Sequence, residues 1–310
     1  MIANTSRGAV RGLLAFRMNV ISRYSAKSIA LPLSGDAVLG SYLKLTSARI
    51  QINDPMRSVA TECQALIGNN RETLTTADID LILSDAGRSV EVSNLALLEW
   101  FEQKDAAWLE TVRGNIERLS SRNAMAIAQK LVMDAGQYAL SFSPQTSSLR
   151  QPMSKVFLRL LNRFPQPFDN GKRNICSSKS PRQFVAESEA ELMFLPLPSP
   201  AFDGMKTAMG NRAWREEWIR GGSEFWTDFE MRSAGQINGR APSKSNYLKS
   251  LEQLLRSAKK MKHWAIELPS ESSFATSDVM ETIGMVRPIK KVFTKDLSEI
   301  GRGRSVIVTA

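Results

Sequence analysis

The chain has 310 residues with two cysteines and one histidine, and it carries a formal net charge of +10 with a pI near 9.7. This length allows a large core without disulfides, and Cys63, Cys176 and His263 are too scattered in the sequence to predict a zinc site or a Cys-His catalytic centre. No apolar run reaches membrane-spanning length, and residues 1–27 lack the features of a signal peptide, so we expect a cytoplasmic protein whose basic charge suits a polyanionic partner.

The first predicted unit is a strand, a turn and a helix start in residues 28–40, SIALPLSGDAVLG. A short apolar run precedes small residues, and a helical pattern follows them. Glycine in such a turn lets the backbone approach a ligand, which makes Gly35 a candidate contact. A lone glycine is equally typical of a tight turn that binds nothing.

A second strand is predicted for residues 49–52, and it ends at Asn53, Asp54 and Pro55. Asp54 follows the first turn by about twenty residues, which is where an acidic side chain commonly binds a ribose hydroxyl. The same side chain is also well placed to cap the helix predicted after it. Both interpretations remain open at the level of sequence.

Residues 75–162 are predicted to be helical, because apolar residues recur at helical spacing, as in Trp108, Val112, Ile116 and Leu119. A loop rich in Pro, Gly, Asn and Ser follows and carries Lys172 and Arg173. These cations are candidate phosphate contacts, although a solvated loop carries such residues too. Together, residues 75–182 form a predicted helical insert with a basic loop.

The most informative segment is 189–203, EAELMFLPLPSPAFD. An apolar run behind an acidic flank is typical of a buried central strand, and ligands bind where the strands of such sheets end. Here the strand runs into a proline-rich loop, Pro196, Leu197, Pro198 and Ser199. An ordinary proline turn after a strand has the same pattern.

Aromatic residues alternate with arginines in residues 203–244. This mixture is typical of nucleic-acid contacts, with aromatic rings against bases and cations against phosphates. The candidate DNA contacts are Arg215, Arg232 and Arg240, and Trp214 and Trp218 are candidate stacking residues. A small folded cap with its own aromatic core is the alternative for the two tryptophans.

The C-terminal part predicts regular elements: a helix over 243–260, a strand from His263, a helix from Ser277, a strand over 286–293 and a last strand, SVIVT. Arg302 and Arg304 precede the last strand and are further candidate DNA contacts. Basic residues on edge strands also discourage aggregation without binding anything.

Five of these segments, in this order, resemble the Dam-like, adenine-specific DNA methyltransferases. Several stretches are similar to sequences of this family: FDNGKRN, the flanks EAELMFL and SPAFDG on either side of the proline-rich loop, and GRGRSVIVT. The signature letters differ: the family's Asp-Pro-Pro-Tyr is replaced by Pro196, Leu197, Pro198 and Ser199. Leu31 and Leu33 replace the acidic and aromatic positions of the cofactor loop, and CSSKSP offers no carboxylate for the cofactor's adenine.

The resemblance implies an α/β fold with the Rossmann-like sheet of S-adenosylmethionine-dependent methyltransferases, a helical insert and a small DNA-facing region. The implied divisions are an N-terminal segment (1–27), a methyltransferase-like core (28–74 and 183–310), the insert with its basic loop (75–182), and a DNA-recognition region (203–244) within the core. It further implies an antiparallel edge strand at the C-terminus. Gly35 and Asp54 would then be vestigial cofactor contacts.

Because the proline-rich loop lacks the family's acceptor and its stacking ring, we expect a catalytically inactive, methyltransferase-like subunit. It would bind DNA beside an active methyltransferase or another DNA-modification or defence partner, with no membrane attachment and no cofactor. One alternative is a working adenine-N6 DNA methyltransferase that binds S-adenosylmethionine and uses a divergent loop. A structural assembly protein that does not bind nucleic acid is the other.

Overall fold

The computed structural model describes residues 2–88, 90–143, 145–200, 203–269, 276–298 and 303–310, with side chains from residue 12 onward. Its centre is a seven-stranded mixed sheet in the order β3-β2-β1-β4-β5-β7-β6. The strands are β1 (Ser28–Leu31), β2 (Arg49–Asn53), β3 (Ile175–Ser177), β4 (Leu192–Pro196), β5 (His263–Glu267), β6 (Lys291–Asp296) and β7 (Arg304–Thr309).

Strands β1 to β5 run parallel to one another, whereas β7 runs antiparallel to both β5 and β6. Parallel strands need crossover connections, and the helices supply them. The described helices are α1 (Ile2–Ser22), α2 (Val38–Lys44), α3 (Arg57–Cys63), α4 (Thr76–Leu83), α5 (Gln103–Ile116), α6 (Arg122–Ala139), α7 (Met153–Leu161), α8 (Pro181–Glu187), α9 (Met205–Met209), α10 (Ala213–Arg220), α11 (Phe225–Ser233), α12 (Lys244–Ser257) and α13 (Thr276–Val286).

Alternate residues of the central strand β4 enter different cores. Leu192 and Phe194 pack with α1, α2 and α3 on one face of the sheet, whereas Met193 and Leu195 pack with α8, α12 and α13 on the other. All four side chains are fully buried. A strand that is covered on both faces needs a continuous apolar run, and this is why the segment is apolar throughout.

A separate core joins the helical segment to the region after β4. Helices α4 to α7 pack around Leu109, Val112 and Leu131, and Trp214 and Trp218 of α10 belong to the same cluster. The helical insert and α10 therefore share one apolar core, although α10 begins about fifty residues after α7 ends.

The structure confirms the α/β class and corrects three details of the predicted elements. Residues 75–182, predicted as an insert, contribute β3 to the edge of the sheet. The strand predicted over 286–293 begins only at Lys291, because α13 continues to Val286 and Pro288 cannot donate a ladder hydrogen bond. The last strand is antiparallel as expected, but it lies between β5 and β6, and β6 forms the edge.

Within the described residues, no helix has both the length and the apolar composition needed to cross a membrane.

Candidate functional site

A cleft of about 980 Å³, here called the main cleft, opens where β1, β2 and β4 end. Its lining includes Gly35, Asp54 and the loop residues Pro196, Leu197, Pro198 and Ser199. These residues come from three distant parts of the sequence, and the parallel strands bring them to one edge of the sheet. The sequence-predicted turn, acidic residue and proline-rich loop thus form a single site.

The turn after β1 is held by backbone hydrogen bonds to the end of β2. Ser34 N donates to Asn53 O at 3.1 Å, and Gly35 has a φ of 67°, in the region that favours glycine. Gly40 of α2 has a different role: a Cβ there would lie 2.5 Å from Ile67 Cδ1. The glycine at position 40 therefore permits close packing of α2 against Ile67 and Ile52.

Asp54 uses both carboxylate oxygens to hold backbone amides. Its Oδ2 accepts from Gly35 N at 2.9 Å, and its Oδ1 accepts from Met56 N at 3.0 Å, just before α3. Burial raises the pKa of Asp54 to about 6, although these two hydrogen bonds oppose the rise. Asp54 does not itself cap α3, which begins at Arg57; it ties the turn after β1 to Met56, the residue just before that helix.

The proline-rich loop continues the pairing of β4. Leu197 N donates to Glu267 O at 2.9 Å, and the Tyr247 hydroxyl donates to Pro198 O at 2.8 Å. Burial raises the pKa of Tyr247, so this hydroxyl stays protonated. None of the described residues that line the main cleft is aromatic. Among these residues, the cleft therefore offers no ring on which a base can stack.

The opposite wall of the main cleft comes from α6, α9 and α10. Lys130 lies in this wall and is neutralised, because its Nζ is 2.7 Å from Asp134 Oδ1 and 3.5 Å from Glu62 Oε1. Asn238 also lines the cleft; it is only 8% exposed, and its Oδ1 has no hydrogen-bond partner within the described residues. Sequence analysis missed these groups because no local motif marks them.

Arg215 also lies in this wall and forms no ion pair within the described residues, although the nearby carboxylates of Asp134 and Glu62 favour its charged form. Its Nη2 donates to the neutral Gln137 Oε1 at 3.2 Å, and its Nε is buried without a partner in the described part of the chain. Burial lowers the pKa of Arg215, which shows that its charge is poorly solvated. Arg212 lies one helical turn earlier and lines the same cleft. A half-buried guanidinium without a carboxylate partner favours an anionic ligand.

Two fully buried glutamates fix α10 in position. Glu216 accepts from the backbone amides of Arg57 and Ser58, at 2.7 and 2.9 Å, and so caps α3. Glu217 accepts from the indole nitrogens of Trp100 and Trp226, at 2.8 and 2.9 Å. Lys206 of α9 lies 2.9 Å from Glu217 Oε1. These contacts hold α9 and α10 against the carboxyl ends of the strands.

The tryptophans predicted as stacking residues are core residues. Trp214 and Trp218 have no exposed surface, and Trp218 Nε1 donates to Leu109 O at 2.8 Å. The alternative of a cap with its own aromatic core is close to the observed arrangement, except that the core is shared with the helical insert.

The remaining candidate DNA contacts are dispersed. Lys172 and Arg173 precede β3, so they lie at the amino edge of the sheet, away from the main cleft at the carboxyl edge. Arg304 is exposed at the start of the antiparallel β7, on the same side as the cleft. Arg232 and Arg240 are exposed in the region after β4, and Arg302 lies outside the described residues.

Comparisons with protein-family models, with curated proteins and with solved structures found no match to this chain.

Proposed function

We propose that the protein is a catalytically inactive, methyltransferase-like subunit that binds DNA and supports an active adenine methyltransferase or another DNA-modification or defence partner. One observation carries the proposal: the turn with Gly35, the acidic Asp54 and the proline-rich loop, which the resemblance assigns to a methyltransferase site, line one cleft, while the loop residues Pro196 to Ser199 bring neither a carboxylate nor an aromatic ring.

The sheet supports the part of the proposal that concerns a methyltransferase-like fold. A seven-stranded sheet whose last strand is antiparallel is consistent with the S-adenosylmethionine-dependent methyltransferases that the sequence resembles. The cleft lies at the carboxyl ends of its parallel strands, where ligands of open α/β sheets bind.

The loop chemistry supports the inactive half. Methyl transfer to an adenine amine needs an acceptor that aims the nitrogen lone pair at the methyl group. Pro196 has no side-chain acceptor, and the Pro198 carbonyl already accepts from Tyr247. Loss of a positioned proton-handling group alone costs roughly 10²–10⁴ in rate.

The charges support DNA as the ligand. The chain as a whole carries a net charge of +10, and Arg212 and Arg215 line the main cleft, although carboxylates such as Asp36 and Glu62 line it too. Cations of this kind supply most of the sequence-independent affinity for DNA through contacts with phosphates.

Titration of a fluorescent DNA duplex at low salt tests the proposal. We expect wild-type protein to bind, and Arg215→Gln to bind more weakly with a shallower dependence of affinity on salt. Arg163→Gln is the matched control, because it removes the same charge from an exposed position that does not line the main cleft. Absence of binding by the wild type would refute the DNA half of the proposal.

An active methyltransferase is the second candidate, because the main cleft has room for a cofactor and Asn238 supplies an amide acceptor to it. Calorimetry with S-adenosylmethionine separates the two functions. Heat of binding at micromolar cofactor would favour the enzyme, and no heat would favour the inactive subunit.

A further inference from the structure

A second, smaller pocket of about 290 Å³ lies between α3, α6 and the end of β3, here called the α3–α6 pocket. One ridge of each helix faces it: Arg57, Ala60 and Thr61 from α3, and Arg122, Ala126 and Gln129 from α6. Each set contains residues three or four positions apart, which places them on one side of the helix.

The charged side chains that line this pocket are all positive. Arg57 and Arg122 both line it, and no carboxylate is among the described residues that do. The main cleft differs, since Asp134 and Glu62 neutralise Lys130 there. The +2 charge of the α3–α6 pocket therefore has no acidic counterpart in its own lining.

The two guanidinium groups also have spare hydrogen-bonding capacity. Arg122 Nη2 donates to Cys176 O at 3.3 Å, a single bond from a group with five donors. In the described part of the chain, the Arg57 side chain has no hydrogen-bond or ion-pair partner. Its backbone amide is already taken by Glu216, so the side chains, and not the start of α3, would hold a ligand.

Phosphate is the ligand class that matches these donors. Guanidinium groups form paired hydrogen bonds with phosphate oxygens, and hydroxyl and amide side chains such as Thr61 and Gln129 can donate to the remaining oxygens. The pocket is large enough for a phosphate together with part of the group that carries it.

We propose that the α3–α6 pocket is a phosphate-binding site, formed by Arg57 and Arg122. Its phosphate comes from a nucleic-acid backbone or from a free phosphate compound, and the first source rests on the proposed DNA-binding function. Helix α10 connects the two cavities, because Arg212 and Arg215 line the main cleft and Ile219, one turn later, lines the pocket. A DNA strand that crosses α10 can therefore contact both.

Two titrations test the site, one with inorganic phosphate and one with duplex DNA, on wild type, Arg57→Gln, Arg57→Gln/Arg122→Gln and Arg163→Gln. We expect the double variant to weaken phosphate binding at least about tenfold, because it removes charge-assisted hydrogen bonds, while Arg163→Gln binds as wild type does. If the phosphate belongs to DNA, the slope of log affinity against log salt, which is negative, becomes less steep by about 0.9 in the double variant, because one phosphate contact is lost.

The outcomes separate the two proposals. Phosphate binding that is lost in the double variant, with DNA binding unchanged or absent, supports a site for a free phosphate compound and leaves the pocket assignment intact. The assignment of the pocket is overturned if wild type and double variant bind phosphate equally well, or if the wild type binds no phosphate. Arg57→Gln keeps the test valid if the double variant is unstable, because this exposed side chain has no hydrogen-bond or ion-pair partner in the described residues.

Discussion

At the scale of single residues, Asp54 is the clearest case of a group whose type was predicted and whose role was open. Its spacing after Gly35 is equally typical of a ribose ligand and of a helix cap, because both need a carboxylate just beyond a strand. The structure adds the partners: both oxygens accept from backbone amides. These amides come from segments about twenty residues apart, and local sequence cannot specify that.

Asp54 makes stability depend on pH. Burial raises its pKa from 3.8 to about 6, so the folded state holds the proton more tightly than the unfolded state. The resulting stabilisation is fully present below about pH 4 and is lost as pH rises through 6. We expect the unfolding free energy of wild type to fall relative to that of Asp54→Asn between pH 4 and 7, by on the order of 3 kcal/mol. Urea unfolding at a series of pH values measures this difference, and a pH-independent difference would contradict it.

At the scale of elements, α10 shows why the region after β4 was hard to predict. Its tryptophans at helical spacing are compatible with stacking on bases and with packing on another helix. The deciding contacts are with α5 and the segment before it, about a hundred residues earlier in the chain. The β4 strand and its loop were predictable, because a short apolar run ending in prolines is a local signal.

Lys206 pairs with the buried Glu217 and with the exposed Glu99, and we expect the Glu217 contacts to contribute more to stability. Glu217→Gln places an amide NH₂ beside indole or ammonium donors, and we expect a loss of about 1–3 kcal/mol. Glu99→Gln is the matched control, because Glu99 also pairs with Lys206, at 3.1 Å, but is exposed; its expected cost is at most about 1 kcal/mol. Equal losses in denaturant unfolding would show that burial of Glu217 is not decisive.

The packing of α6 against α10 can be tested at Gly136. A Cβ at this position would lie 2.3 Å from Trp214 Cη2, so Gly136→Ala should destabilise the fold by about 1–3 kcal/mol through overpacking. Gly114→Ala in α5 has open space around the added methyl, and there we expect a stabilisation of about 0.5–1 kcal/mol. Thermal unfolding of both variants checks the opposite signs; two stabilised proteins would contradict close α6–α10 contact.

At the scale of the whole molecule, the class of fold and the place of the site were accessible from sequence, whereas the distribution of charge was not. Strand ends mark the site, since parallel strands share a carboxyl edge. The position of Lys172 and Arg173 at the amino edge depends on the direction of β3, which is only three residues long and carries no clear pattern. Arg57 and Arg122 become neighbours only when α3 and α6 pack.

We propose that a methyltransferase-like site persists without its reactive groups and serves to bind DNA, and one experiment tests both parts. The most direct measurement incubates the protein with a fluorescent DNA duplex and methyl-labelled S-adenosylmethionine, and then counts both the retained DNA and the label within it. We predict retained duplex at low salt with no methyl label above a protein-free control. Label in the DNA would contradict the loss of catalysis, and an absence of retained duplex would contradict the binding function.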